Sequence, residues 1–431
     1  MPKVKPVQGV SKLFLPTGSD RIVLCPSRCA RLAAASLLLL WSALCTCQPQ
    51  AGSVLCSGGN GNFDAEFRTG VKVHVGPARN GGLATRACAA KLSWGKQELI
   101  VAEDASQLDL DAFGVDLGHG IPVAAFQIKK SDADCCMDYE IYSLEKPPRL
   151  LRTITGGEFF SASDIDLDGS VEIWTDDAAA VNGFEKLTLG ELASAPTVVF
   201  RFAHGQLRDV SAEFQSYFNN EIARIRGGIH PQDLEDFKDS DGKLVAIQTP
   251  ASTERLHHLR MVKIKVLEMV WAYLYSGREQ DAWRSLAEMW PSADVDRIRV
   301  ALVNARAHGI HGQADGTSPG PPRGRKKHTQ VFDSVSKSGP ASKLEVVPPE
   351  AILLQRPPVP EIQQQGPTEP ELLLDLVVDG SGKVRSAEPA GKMKWADPEL
   401  IKAALTWKFI PAFKDGRAVA SRLRIAVSPR Q

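Results

Sequence analysis

The sequence predicts a multidomain chain in which a β-rich domain is followed by an all-α helical domain and then by a small α+β domain. Three observations carry this reading. Short β-branched and aromatic runs, punctuated by Gly, Asp and Pro, fill the segment from Cys56 to Phe202. Apolar residues then recur at spacings of three and four from Leu207 to Ile310. After a Pro-rich stretch, the chain ends in a strand, turn, strand, helix, strand order. The boundaries that follow are 1–53 for an N-terminal extension, 54–205 for the β-rich domain, 206–312 for the helices, 313–368 for a linker and 369–431 for the last domain. The length of 431 residues suits two or three domains. The 51 Lys+Arg balance the 51 Asp+Glu, so no global field attracts nucleic acid, and none is expected as a partner.

At the N-terminus Lys3, Lys5, Lys12, Arg21, Arg28 and Arg31 face one acid, Asp20, and an uncharged run follows from Leu32 to Cys47. A basic flank, an apolar core shorter than a bilayer span and small residues at its exit read as an export signal. Cleavage, lipidation and retention as a membrane anchor all stay open, and the compartment expected is the periplasm. Export admits disulfides, and Cys56, Cys88, Cys135 and Cys136 follow the leader. A bond between adjacent cysteines is geometrically awkward, so Cys56 and Cys88 are each expected to pair with one of Cys135 and Cys136. The chain has no C-x-x-C spacing, which argues against a thiolate zinc finger.

Within the β-rich segment the runs Val71–Val75, Ile121–Ile128, Tyr139–Leu144, Val171–Thr175 and Thr197–Phe202 are candidate strands. The stretch from Asp116 lines up with that from Asp166, a period that suits a sheet blade or a long hairpin and hence a partial propeller or a sandwich. Asp164, Asp166, Asp168 and Glu172 place carboxylates around the turn at Gly169, the arrangement that a hard cation such as calcium requires. This loop resembles the calcium loops of integrin-type and FG-GAP repeats, in which D-x-D-x-D-G-x-x-[DE] joins two strands. A twelfth-position Thr175 excludes an EF-hand.

The helical segment places Phe214, Phe218, Ile222 and Ile225 on one face and Leu256, Leu259, Val266, Leu267, Val270 and Leu274 on another. Pro291 breaks the pattern and Gly309 ends it. Trp271, Trp283 and Trp290 read as packing residues. Between Gly316 and Pro370 the Pro-rich sequence favours an extended spacer, with a basic cluster at Arg323, Arg325, Lys326, Lys327 and His328.

The last domain reads as a strand from Leu372 to Val378, a turn at Asp379–Gly382 and a returning strand from Lys383. Asp397-Pro398 starts a helix with Leu400, Ile401, Ala404 and Leu405 on its apolar face, and Val419 to Val427 forms a final strand. The segments VVDGSGKV, DPELIKAALTWKFIPA and KDGRAV, in this order, resemble the C-terminal domain of TonB-family proteins over about residues 370 to 429. The resemblance implies an envelope interaction protein that captures an extended segment by strand addition, linked to transport across the outer membrane, with an outer-membrane transporter among its partners. An edge strand offers unpaired backbone groups to such a segment, which nominates Arg417, Arg422, Arg424, Ile425, Ala426 and Val427 as partner-binding residues. An alternative of another class is a carbohydrate- or cell-wall-binding protein that uses the calcium-loop domain. The sequence contains no H-E-x-x-H and no Walker-type phosphate loop, so no catalytic residue and no enzyme activity are expected.

Overall fold

The structure is a computed structural model that describes residues 55–80, 83–132, 135–244, 250–318, 320, 330–334, 346–354, 372–390 and 398–427. The apolar run Leu32 to Cys47, the basic cluster around Arg325 and the helix-starting Asp397 lie outside the described residues. Among the described residues no helix is long and apolar enough to cross a membrane.

Three successive four-stranded antiparallel meanders build the β-rich region. The first is β2 (Phe63–Glu66), β3 (Lys72–Asn80), β4 (Leu83–Trp94) and β5 (Gln97–Ala105). In the second, β6 (Gln107–Val115), β7 (Val123–Lys129), β8 (Met137–Ser143) and β9 (Leu150–Gly157) follow in order, and β1 (Cys56–Ser57) adds beside β6. The third comprises β10 (Phe160–Ser163), β11 (Glu172–Asp176), β12 (Thr197–Ala203) and β13 (Gln206–Asp209), with the short helix α1 (Ala178–Val181) between β11 and β12. The faint internal repeat has a structural basis. The turn at Asp116 joins the first two strands of the second meander, and the turn at Asp164 joins the first two of the third.

The disulfides depart from the expected pairing. Cys56 bonds to Cys88, and Cys135 bonds to its neighbour Cys136. Register explains the first bond. Cys88 lies opposite Ala105 on β5 while Cys56 lies opposite Leu108 on β6, so the tight passage from β5 into β6 brings the two thiols together. Cys135 and Cys136 sit in the turn between β7 and β8, where each has the other at hand.

The helices are α2 (Gln215–Gly227), α3 (Pro231–Lys238), α4 (Pro250–Tyr275), α5 (Glu279–Met289) and α6 (Val295–His308). The break at Pro291 and the cap at Gly309 fall where the sequence places them. Phe218, Ile222 and Ile225 of α2 and Val266, Leu267, Val270 and Leu274 of α4 join one continuous core with Val123, Ile141, Ile173 and Phe200 of the strands. The helical segment therefore shares its core with the β-rich region instead of closing one of its own. After α6 the chain returns as β14 (Gly316–Thr317), which pairs in parallel with β13.

The C-terminal part contains β15 (Phe332–Asp333), β16 (Glu350–Leu353), β17 (Leu372–Val378), β18 (Val384–Pro389), α7 (Pro398–Ala404), β19 (Lys408–Ile410), β20 (Ala412–Lys414), β21 (Arg417–Val419) and β22 (Ser421–Val427). Its main sheet has the order β15-β22-β17-β18. Leu374, Leu376, Val378, Val384, Ala404, Trp407, Phe409 and Val427 form a core of their own. Two expectations shift. Leu405 is 45% exposed, one position past the end of α7 and off the buried face. Val419 belongs to a separate β20–β21 hairpin, paired with Ala412, and so does not open the final strand. The Pro-rich stretch is also more tied down than a free spacer, because β15 pairs with β22, Val347 bridges Phe413, and β16 pairs with β19.

The C-terminal part docks on the third meander through Ser161 and Asp164, and on the first two meanders. Phe413 enters their core, its ring centroid 6.4 Å from that of Phe67. Lys383 reaches Asp111 at 2.6 Å and Ser161 at 2.8 Å, while Lys408 reaches Asp109 at 2.6 Å. Asp111 also accepts from the Tyr139 hydroxyl at 2.7 Å and from the Ala162 N–H at 2.7 Å, so this buried charge is well provided with donors. Burial pushes the Lys383 pKa down against the pull of Asp111.

Candidate functional site

The acidic loop between β10 and β11 is shaped by its own carboxylates. Asp164, almost fully buried, accepts the N–H of Asp168 and that of Gly169, each at 3.0 Å, and Asp168 accepts the N–H of Ser170 at 2.8 Å. Short acidic side chains stabilise tight turns in this way. Gly169 takes φ +86° with open space where a side chain would stand, so a left-handed residue is required there and glycine supplies it. Carboxylate oxygens of Asp164, Asp166 and Asp168 lie within 4.8 Å of one another. Oxygen donors at this separation could hold a metal ion.

Glu172, expected as a fourth ligand, stands apart from this trio. It opens β11 opposite Ser163, is fully buried, and one oxygen takes the Arg201 Nε at 2.9 Å and Nη2 at 2.7 Å. Its second oxygen, Oε2, has no hydrogen-bond partner. Burial above all, opposed by Arg201 and reinforced by Asp168 and Asp164, pushes the Glu172 pKa up to about 8. Burial, with Asp379 next, likewise pushes that of Asp164 up to about 6. Both shifts record carboxylate charge held close together with little solvent.

Sequence reasoning missed Asp379 as a neighbour of this loop. Its carboxylate organises the β17–β18 turn by accepting the Ser381 N–H at 2.9 Å and the Lys383 N–H at 3.0 Å, and it also accepts from the Asp164 N–H at 3.2 Å. Arg385 Nε donates to it at 2.6 Å. The only signal in the sequence was the similarity of the two Asp-led, Gly-containing turns.

The nominated docking residues divide between two sheets. Arg417 lies on β21, in the small hairpin, away from the final strand. Arg424 is held across the strands by Asp375, at 2.7 and 2.8 Å, and Arg422 stands 3.9 Å from Asp333. Positive charge along β22 is thus partly balanced within the sheet. Leu423 and Ile425 pack on the inner core and Val427 is buried, while Ala426 is exposed. On the side away from β17, the carbonyls of Ala420 and Arg422 accept the N–H groups of Phe332 and Ser334, at 2.9 and 3.1 Å. Arg424 and Ala426 share this parity, so their backbone groups face the same edge, where no strand pairs with them among the described residues.

No protein family, curated protein or solved structure matches the chain.

Proposed function

We propose that the chain is an exported, periplasm-facing interaction protein of TonB-like type that captures an extended segment of an envelope partner by strand addition along β22. The meanders are read as blades of a partial propeller that carries the capturing sheet and a calcium loop. One observation carries the reading: among the described residues the edge of β22 runs on past β15, with the backbone groups of Arg424 and Ala426 turned outward. Main-chain hydrogen bonds supply the affinity, and the arginines favour an acidic partner segment. An outer-membrane transporter is the kind of partner the C-terminal motifs suggest.

Ala426→Pro tests this. Proline removes one outward donor on an edge strand without disturbing the inward pairing with β17. A photo-crosslinking residue at Arg424 in the intact cell should join the chain to an envelope protein, and Ala426→Pro should reduce that product several-fold at equal protein level. Undiminished crosslinking with the fold intact would show that capture takes place elsewhere.

A further inference from the structure

The two disulfides differ in accessibility. Cys56 and Cys88 are fully buried, whereas Cys135 and Cys136 are only half-buried, in the turn between β7 and β8. Exchange requires a thiolate to reach one sulfur of the bond, so burial protects the first bond and leaves the second open to attack. The second bond joins neighbours and closes no length of chain, so its opening forfeits little folding free energy. Its two sulfurs are not equivalent. Cys136 packs against the large core shared by strands and helices, which leaves Cys135 as the outward member.

Room for the attacking molecule lies at the same end of the hairpin. Ile128 of β7 stands opposite Asp138 of β8, and Lys130 and Cys136 are each two residues further into the turn. Lys130 Nζ lies 2.7 Å from the Asp138 carboxylate and also lines an open hollow of about 400 Å³ with Thr85, Arg86, Asp104 and Ser106. That volume suits a small molecule. The lining carries both signs of charge: the Arg86 guanidinium suits a carboxylate, and the Asp104 carboxylate suits an ammonium. A small zwitterionic thiol matches both.

We propose that Cys135–Cys136 is a thiol–disulfide exchange site for small zwitterionic thiols of the cysteine and glutathione class, which dock in this hollow. The incoming thiolate attacks Cys135 Sγ and forms a mixed disulfide with it, while the bond to Cys136 breaks and Cys136 leaves as a thiolate that takes a proton. A second thiolate then attacks the sulfur of the attached small thiol, and Cys135 leaves and is protonated in turn. Two small thiols are thereby oxidised to one small disulfide, and the protein bond takes up two electrons and two protons. The reverse sequence closes it again. The exchange is independent of strand capture along β22.

Glutathione is the probe, applied to the full chain at neutral pH, with iodoacetamide quenching and peptide mass mapping as the readout. Cys135 and Cys136 should become available to alkylation about ten-fold or more faster than Cys56 and Cys88, and the trapped glutathione adduct should sit on Cys135. Arg86→Gln should slow the reaction with glutathione several-fold and leave that with mercaptoethanol, which has neither carboxylate nor ammonium, unchanged. Opening of both disulfides at one rate would overturn the exchange site. Selective opening that Arg86→Gln leaves unaltered, or slows equally for the two thiols, would overturn docking in the hollow.

Discussion

The main-chain N–H of Asp164 donates to the carboxylate of Asp379 across 3.2 Å, joining two hairpin turns that lie 215 residues apart. Each turn is organised by its leading aspartate, and Asp116 repeats the device in the second meander, where its Oδ1 accepts the N–H groups of Gly118, His119 and Gly120. The Asp379 turn belongs to the C-terminal sheet and the Asp164 turn to the third meander. The acidic loop therefore sits on the seam between the two, and anything bound there acts on both.

Calcium should stabilise the folded chain through that loop. Binding to the native state alone stabilises by mass action, about 2.7 kcal/mol at a hundred-fold excess over the dissociation constant. Differential scanning calorimetry should show Tm rising by a few degrees with calcium. Asp166→Ala should erase the increment, because it removes one of the three converging carboxylates. An identical Tm with calcium and with EDTA would instead leave the loop a solvated turn.

A pH dependence follows from Asp176, at the far end of β11 from this loop. Burial first, with Glu158 and Asp177 adding to it against the Glu158 N–H bond, pushes its pKa up to about 7. The folded chain thus holds this proton more tightly than the unfolded chain, whose aspartates titrate near pH 4. The stabilising contribution is complete below about pH 4 and is lost as pH rises through about 7. Asp176→Asn keeps an acceptor for the Glu158 N–H, which Asp176 takes at 2.7 Å, and should gain on the order of 2 kcal/mol relative to the parent at pH 8. Urea unfolding at pH 5 and pH 8 measures it: the advantage of the variant must grow with pH.

The two disulfides should differ in weight. Cys56 and Cys88 close a loop with a sequence separation of 32, and Cys88→Ser should cost about 4 kcal/mol by the chain-entropy argument. Cys135 and Cys136 are adjacent, so their bond constrains almost none of the unfolded chain, and replacing both by Ser should move the urea midpoint little. A larger loss for the adjacent pair would contradict the loop argument.

The nominated strands, the helix faces and the Asp-Gly turns were legible because each is written in local periodicity, whereas β4, β5, β6 and β9 lay outside the runs that the sequence singled out. Phe218, Ile222 and Ile225 show their buried side by spacing alone. What lay beyond reach depended on which surfaces meet. In β6, Asp109 and Asp111 alternate with Leu108 and Leu110, a pattern that reads as a solvated face, yet both acids are buried because Lys408 and Lys383 arrive from 299 and 272 residues further on. The cysteine pairing was misjudged for the same reason, since it follows from the β5–β6 register. Among the expected metal ligands, the three aspartates share one turn, while Glu172 was drawn off by Arg201, for which the sequence offered no local signal.

The seam itself can be tested at Lys383. Its ammonium lies between Asp111 and Ser161, and Asp111 is buried with Tyr139 and the Ala162 N–H as its other partners. Lys383→Met retains much of the apolar stem but leaves the Asp111 charge without a counterion, and removing one member of a buried pair costs about 3 to 5 kcal/mol. Asp111→Asn on that background removes the stranded charge and keeps an acceptor for Tyr139, so the double variant should recover a large part of the loss. Urea denaturation of the parent, the two single variants and the double variant gives the coupling directly. Limited proteolysis should show the C-terminal sheet released more readily in Lys383→Met than in the double variant. Additive losses, with no recovery in the double variant, would mean that Phe413 and the apolar contacts around Phe67 hold the seam and that the Lys383–Asp111 pair is incidental to it.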